Sequence, residues 1–161
     1  MFENEVAINQ FQLHYLKKIL ADIPESQWYE KGAGHQHSPA WIAGHLALVG
    51  QFGQKLLGGN VSNTEWLPIF GPGSSGEVSP DPAYEKSAML PALENAYQQM
   101  WTLAADADPE KMQQPHGLEI FANSPIKTLG NAAAVMLTNH FAFHLSQLSS
   151  CRRSAGFPAL F

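Results

Sequence analysis

Apolar residues recur with the three- and four-residue spacing of an amphipathic helix in four long stretches of the chain. The first stretch predicts a helix over 3–21, ended by Pro24. The second begins at Ser38-Pro39, where serine can cap the helix and proline suits the first helical position. This second helix is expected to end at Gly58, because glycine readily adopts the backbone conformation that follows a helix.

The second half of the chain shows the same pattern twice more. Ser87 is predicted to cap a third helix, with Pro91 about one turn in, where a missing N–H costs little. The Ser-Pro pair at 124–125 repeats the signal at 38–39 and predicts the start of the last helix. That helix is expected to run to about Arg153, whose positive charge suits the C-terminal end of a helix.

No segment has the alternating pattern of a strand, so the sequence predicts an all-α fold. Four long helices are typical of a four-helix bundle, here a single domain over 1–161. The connection 61–86 could span about 80 Å when extended, at about 3.3 Å per residue. A 20-residue helix is only about 30 Å long, so the second and third helices can be parallel and joined by a long crossover.

Charged residues make up only 14% of the chain, and its net charge is −5. The two arginines are adjacent and form no basic stripe, which argues against a nucleic-acid partner. No apolar run approaches the roughly 20 residues of a membrane span, and the first residues do not resemble a secretion signal. A cytoplasmic location is therefore expected, with no membrane partner. The single cysteine, Cys151, excludes a cysteine-based zinc site and is predicted to be a small core residue.

The low charge also predicts that part of the surface is covered in a homodimer, because obligate interfaces are rich in apolar area. Phe141 and Phe143 lie off the main apolar stripe of the last predicted helix and are the candidates for that interface.

Seven histidines are as many as the lysines, and three of them fall on apolar helix faces. His140 and His144 are four residues apart, which places both imidazoles on one helix face. His45 occupies the apolar face of the second predicted helix. Three inward imidazoles from two facing helices could hold one divalent ion with a position left open. The alternative is that they are hydrogen-bonded core histidines. No Glu follows His140, so the pattern is not H-E-x-x-H.

Four short motifs resemble those of the DinB-like superfamily. They are W-I-A-G-H-L-A at 41–47, W-L-P-I-F-G-P-G at 66–73, N-H-F-A-F-H-L-S-Q-L at 139–148 and G-F-P-A-L-F at 156–161. The resemblance implies a bundle in up-down-down-up order, often a homodimer. It also implies a three-histidine site for nickel or zinc, and the matching positions are His45, His140 and His144.

Characterised members of this family include thiol-dependent transferases and a maleylpyruvate isomerase, which use low-molecular-weight thiols. The resemblance therefore implies a metal-dependent enzyme, a thiol transferase or hydrolase, acting on a small molecule. The alternative function is a non-catalytic bundle that binds a metal or a small ligand. No residue stands out as a general base.

Four further residues are candidates for substrate binding. His37 could line the pocket or simply belong to the loop before the second helix. Trp66 and Phe70 could pave the pocket or anchor the long connection. Gln147, about one turn after His144, could orient a ligand.

Overall fold

Helices make up almost all the regular structure of the computed structural model, which describes residues 1–160. Within this part the only β pairing is an isolated bridge between Pro115 and Thr128, so the all-α prediction is confirmed. Phe161, the last residue of the C-terminal motif, lies outside the described part. The helices in chain order are α1 (Glu3–Asp22), α2 (Pro39–Leu56), α3 (Leu67–Phe70), α4 (Lys86–Ala105), α5 (Pro109–Met112), α6 (Leu129–Leu137) and α7 (Asn139–Ser154).

Helix α2 lies at the centre of the fold and packs against α4, α6 and α7, while α1 packs against α7, α4 and α6. It begins as predicted, with Ser38 Oγ accepting a hydrogen bond from Trp41 N and with proline at its first position. Almost all of its residues are buried. The other helices of the chain cover α2, so this helix needs few charged residues. Its burial accounts for part of the low fraction of charged residues in the chain. Among the described helices, none combines the length and apolar character that a membrane crossing requires.

The last predicted helix begins later than the sequence suggested. Thr128 Oγ1 accepts from Asn131 N, and the Asn131 side chain accepts from Thr128 N, so this pair caps α6 from both sides. Ser124 Oγ instead accepts a hydrogen bond from Ile126 N and donates one to the Phe121 carbonyl within a turn. The prediction that the Ser124-Pro125 pair starts the helix is wrong, because serine can cap a turn as well as a helix.

The predicted last helix is also divided in two. Thr138 has φ −119° and ψ −83°, outside the helical region, and separates α6 from α7. Asn9 of α1, fully buried, donates from Nδ2 to the carbonyl of Leu137 at 2.7 Å and accepts from the indole of Trp101 at 2.8 Å. This buried amide stabilises the break, because it pairs a carbonyl at the end of α6.

Two smaller expectations are also corrected. Ser87 does not cap the third long helix, because α4 already begins at Lys86 after Glu85, with no side-chain cap. Phe141 is fully buried and meets the Tyr97 ring edge to face at 4.9 Å, so it cannot belong to a dimer surface. Phe143 remains 60% exposed.

Candidate metal centre

The structure brings together His45 of α2 with His140 and His144 of α7, and we call these three residues the histidine cluster. One potential ligand atom from each residue lies within 4.8 Å of the other two. Nε2 of His45 is 3.2 Å from Nε2 of His140. His45 and His144 are each only 5% exposed. The cluster is therefore a group of close, largely buried imidazoles rather than three separate core histidines.

Oxygen acceptors orient two of the three rings. Nδ1 of His45 donates to the carbonyl of Phe70 at 2.7 Å, and Nδ1 of His144 donates to Oε1 of Gln147 at 2.8 Å. Each ring then carries its proton on Nδ1, so its Nε2 is unprotonated and has a lone pair for a metal. Such oxygen partners are typical of histidines that bind a metal through the other nitrogen. Gln147, predicted as a possible ligand-orienting residue, thus contacts His144 directly.

The donor set fits a divalent ion that prefers nitrogen ligands. In a tetrahedral zinc site with bonds of about 2.0–2.1 Å, neighbouring nitrogens are about 3.3 Å apart. The 3.2 Å between the Nε2 atoms of His45 and His140 is close to this value. Nδ1 of His140 is buried without a hydrogen-bond partner among the described residues, so this ring lacks the oxygen acceptor that the other two have.

Burial keeps the cluster neutral. It lowers the pKa of His140 to about 4 and that of His144 to about 3, and the neighbouring histidines add to both shifts. Burial also lowers the pKa of His45, partly opposed by its hydrogen bond to Phe70. Neutral imidazole is the form that binds metal, so the lone pairs are available at neutral pH.

A stack of rings holds His45 in place from its other side. The indole of Trp41 lies between the rings of His37 and His45, with centroid distances of 3.7 and 4.6 Å and nearly parallel planes. Its Nε1 donates to the carbonyl of Ile69 and to Ser74 Oγ, which fixes the indole. His37 is therefore at the far end of this stack from His45. The role of Trp41 was not predicted, although the motif at 41–47 contains it.

A glycine lets the Phe70 segment approach α2. A Cβ at Gly44 would lie 2.5 Å from the Phe70 ring, closer than any real contact. The missing side chain allows Phe70 to bury its ring fully and to place its carbonyl on His45. The ring of Phe70 also meets Trp66 and Tyr84 edge to face. The sequence left two roles open for Trp66 and Phe70, which were to pave the pocket or to anchor the long connection. These contacts support the anchoring role.

The loop before α2 is tied to α7 at the edge of the cluster. Nε2 of His35 donates to the backbone carbonyl of Gln147 at 3.2 Å, and Nδ1 of His35 accepts from His37 N. Cys151 lies 3.7 Å from His35, and burial raises the pKa of its thiol to about 11. The predicted role of Cys151 as a core residue agrees with its burial.

A cavity of about 550 Å³ opens beside His45 and His140. Its wall is mostly apolar, and it includes Leu67 and Pro72 from the long connection. None of the four predicted substrate-binding residues lines this wall; they are His37, Trp66, Phe70 and Gln147. The cavity wall was missed because its residues have the same spacing as a core stripe.

Comparison with known protein families agrees with this arrangement. A model of the DinB superfamily matches residues 10–148, a range that contains the whole histidine cluster. A comparison with curated proteins finds no match. The match covers most of the chain, and the chain belongs to the DinB superfamily.

Proposed function

We propose that the histidine cluster binds one divalent ion, zinc or nickel, and that the chain is a metal-dependent enzyme acting on a small molecule. The observation that carries this proposal is the convergence of three neutral imidazoles, two of them oriented through Nδ1 by Phe70 and Gln147. A bound ion of this kind supplies a Lewis acid and lowers the pKa of a coordinated thiol or water.

The cavity beside the cluster favours a thiol-dependent transferase over a hydrolase. No Asp or Glu lines the cavity, and the pKa values of the histidines are lowered well below neutrality. Without a side-chain base, ionisation depends on the bound ion alone, and a thiol with a free pKa near 8.5 needs a smaller shift than water with a free pKa of about 15.7. A low-molecular-weight thiol with a small electrophile is the substrate pair that this chemistry suits best.

The same lack of a base supports one alternative, a non-catalytic bundle that binds a metal or a small ligand. Such a module needs the ligands and the cavity but no proton acceptor. The enzyme and the metal-binding form of this module differ in turnover, so measurements of bound metal and turnover separate them.

We also propose that the four long helical segments run up-down-down-up in one domain, that the protein is cytoplasmic, and that two copies associate. The exposed apolar side chains that support association are Phe11, Ile120 and Phe143. Light scattering at micromolar concentrations should give twice the chain mass of 17.6 kDa.

The test is metal analysis followed by a screen of thiols and electrophiles with the metal-loaded chain. We expect about one ion per chain in the parent protein and none in His45→Ala or His144→Ala. His14→Ala is the matched control, because His14 is an exposed histidine on α1. Turnover that disappears with the metal supports the enzyme, and metal without turnover supports the binding module. Absence of bound metal after loading with zinc and nickel would refute the enzyme and the metal-binding form of the module.

A further inference from the structure

The cavity beside the histidine cluster is built for a ligand larger than a metal-bound water. Its volume of about 550 Å³ falls within the range of about 300–1,000 Å³ that is usual for small-molecule sites. His45 and His140 contribute to its wall, so a molecule inside it reaches the cluster.

One face of α2 runs along the cavity. This face consists of His45, Leu48, Val49, Phe52, Lys55 and Leu56. The spacing follows the helical repeat, so these side chains form one stripe from the cluster to the end of the helix. From His45 to Lys55 the helix rises about 15 Å. The cavity is therefore elongated along α2, with a histidine end and a lysine end.

The remaining walls are apolar between these two ends. Leu118 and Phe121 come from the loop before α6, and Val135 and Met136 come from α6 itself. His116 also lines the cavity, but both its ring nitrogens are used within its own loop. Nε2 donates to the carbonyl of Ile126, and Nδ1 accepts from Leu118 N. His116 thus shapes the wall and is not available as a ligand.

Two lysines from different elements line the cavity at the lysine end. Lys55 lies in the last turn of α2, and Lys111 comes from α5. The Lys111 ammonium lies over Gly58, just beyond the end of α2, since a Cβ there would be 2.9 Å from Nζ. Neither lysine forms an ion pair among the described residues, and no acidic residue lines the cavity. Lys55 is exposed, so the lysine end has a mouth to solvent, and the wall is also exposed at Leu67, Pro72 and Ile120.

We infer that the cavity binds an elongated apolar molecule with an acidic group at one end. The acid pairs with Lys55 and Lys111 at the mouth, and the apolar body lies along α2 with its far end at the histidine cluster. Charge complementarity supports this orientation, because both unpaired cations lie at the end opposite the imidazoles. This inference names the substrate class of the proposed function. It rests on that proposed function only for the chemistry at the histidine end of the cavity.

The test uses decanoate as the probe and compares it with decanol, which has the same chain but no charge. Each is titrated by calorimetry into the full chain, with and without zinc. We expect one decanoate per chain and about tenfold weaker binding of decanol, as is usual when a hydrogen bond to a charged group is lost. Decanoate should bind the metal-free chain as well, because the acid contacts the lysines.

Lysine variants locate the acid. Lys55→Met and Lys111→Met should each weaken decanoate binding about tenfold and leave decanol binding unchanged. Lys18→Met is the matched control, because Lys18 is exposed on α1 and does not line the cavity. Val135→Trp should fill the cavity and abolish binding of both probes. Circular dichroism and zinc content, both expected to match the parent, show that this variant is folded, and Leu118→Trp replaces it if it is not.

Failure of this inference is distinct from failure of the proposed function. If decanoate binds only with zinc and ignores both lysine variants, its acid binds at the cluster and the inferred orientation is wrong. If decanoate does not bind, or binds no better than decanol, the inferred ligand class is wrong. Loss of zinc binding with decanoate binding retained would refute the metal proposal and leave the cavity assignment intact.

Discussion

The side chain of Gln147 is predicted to set the metal affinity of the cluster without binding the metal itself. Its Oε1 accepts from Nδ1 of His144 at 2.8 Å, and His144 is only 5% exposed. In Gln147→Ala that N–H loses its acceptor, so the metal-free ring can place its proton on Nε2. Metal binding must then reverse this tautomer and leave a buried N–H unpaired, at about 1–3 kcal/mol.

This penalty corresponds to a loss of about 10–100-fold in metal affinity, the range usual for removal of such a partner. Gln147→Glu keeps an acceptor and adds negative charge, so its affinity should equal or exceed that of the parent. The fold should be unaffected, because the backbone carbonyl of Gln147 that His35 contacts remains in both variants.

The assay is competition for zinc between the metal-free chain and a chromophoric chelator at neutral pH. Ser146→Ala is the control, because this exposed serine precedes Gln147 on α7 and bonds only within its own helix. The reasoning is refuted if Gln147→Ala binds zinc as tightly as Ser146→Ala does. It is equally refuted if Gln147→Glu binds more weakly than Gln147→Ala.

Four further predictions follow from the same geometry. His140→Ala should lose the metal and about 1–3 kcal/mol of stability yet remain folded, with a melting temperature that no longer responds to zinc. Asn9→Leu should cost about 2–5 kcal/mol in urea denaturation, because it leaves the carbonyl that ends α6 and the partly buried indole of Trp101 without partners. Gly44→Ala should weaken zinc binding by displacing the Phe70 segment, whereas Gly50→Ala, which meets α4 instead, should change stability alone. Histidines of the unfolded chain have a pKa near 6.5, whereas burial lowers the pKa of His140 and His144 in the folded chain. Below pH 6.5 the unfolded chain therefore binds more protons than the folded chain. The urea midpoint of the metal-free chain should therefore fall as pH drops from 7 to 4, and a constant midpoint would contradict the burial argument.

The boundaries of α6 and α7 show where local signals are insufficient. The Ser-Pro pairs at 38–39 and 124–125 give the same local signal, yet of these two serines only Ser38 caps a helix. Ser124 is used in a turn, and Thr128 has the partner, Asn131, that completes a cap. The break at Thr138 has no local signal, because the donor to the Leu137 carbonyl before it is Asn9 Nδ2, near the other end of the chain. Competition between local hydrogen bonds and distant partners decides such boundaries.

The surface of α7 illustrates a similar limit. Phe141 and Phe143 lie two residues apart and looked alike as candidates for an interface. Only the tertiary structure shows that Phe141 is buried against the ring of Tyr97 from α4, whereas Phe143 is exposed. A helical repeat predicts which residues share a face, but the contacts with neighbouring helices set how much of the helix surface is buried.

The all-α class, the central apolar helix and the three inward histidines follow from the pattern of residues, because helical spacing places residues on a common face. Tertiary packing sets what those histidines contact. The carbonyl of Phe70, the oxygen of Gln147 and the indole of Trp41 orient the rings through bonds and contacts that no spacing rule specifies. It also decided that part of the α2 stripe faces a cavity instead of another helix, since a stripe of apolar residues has the same pattern whether protein or ligand covers it.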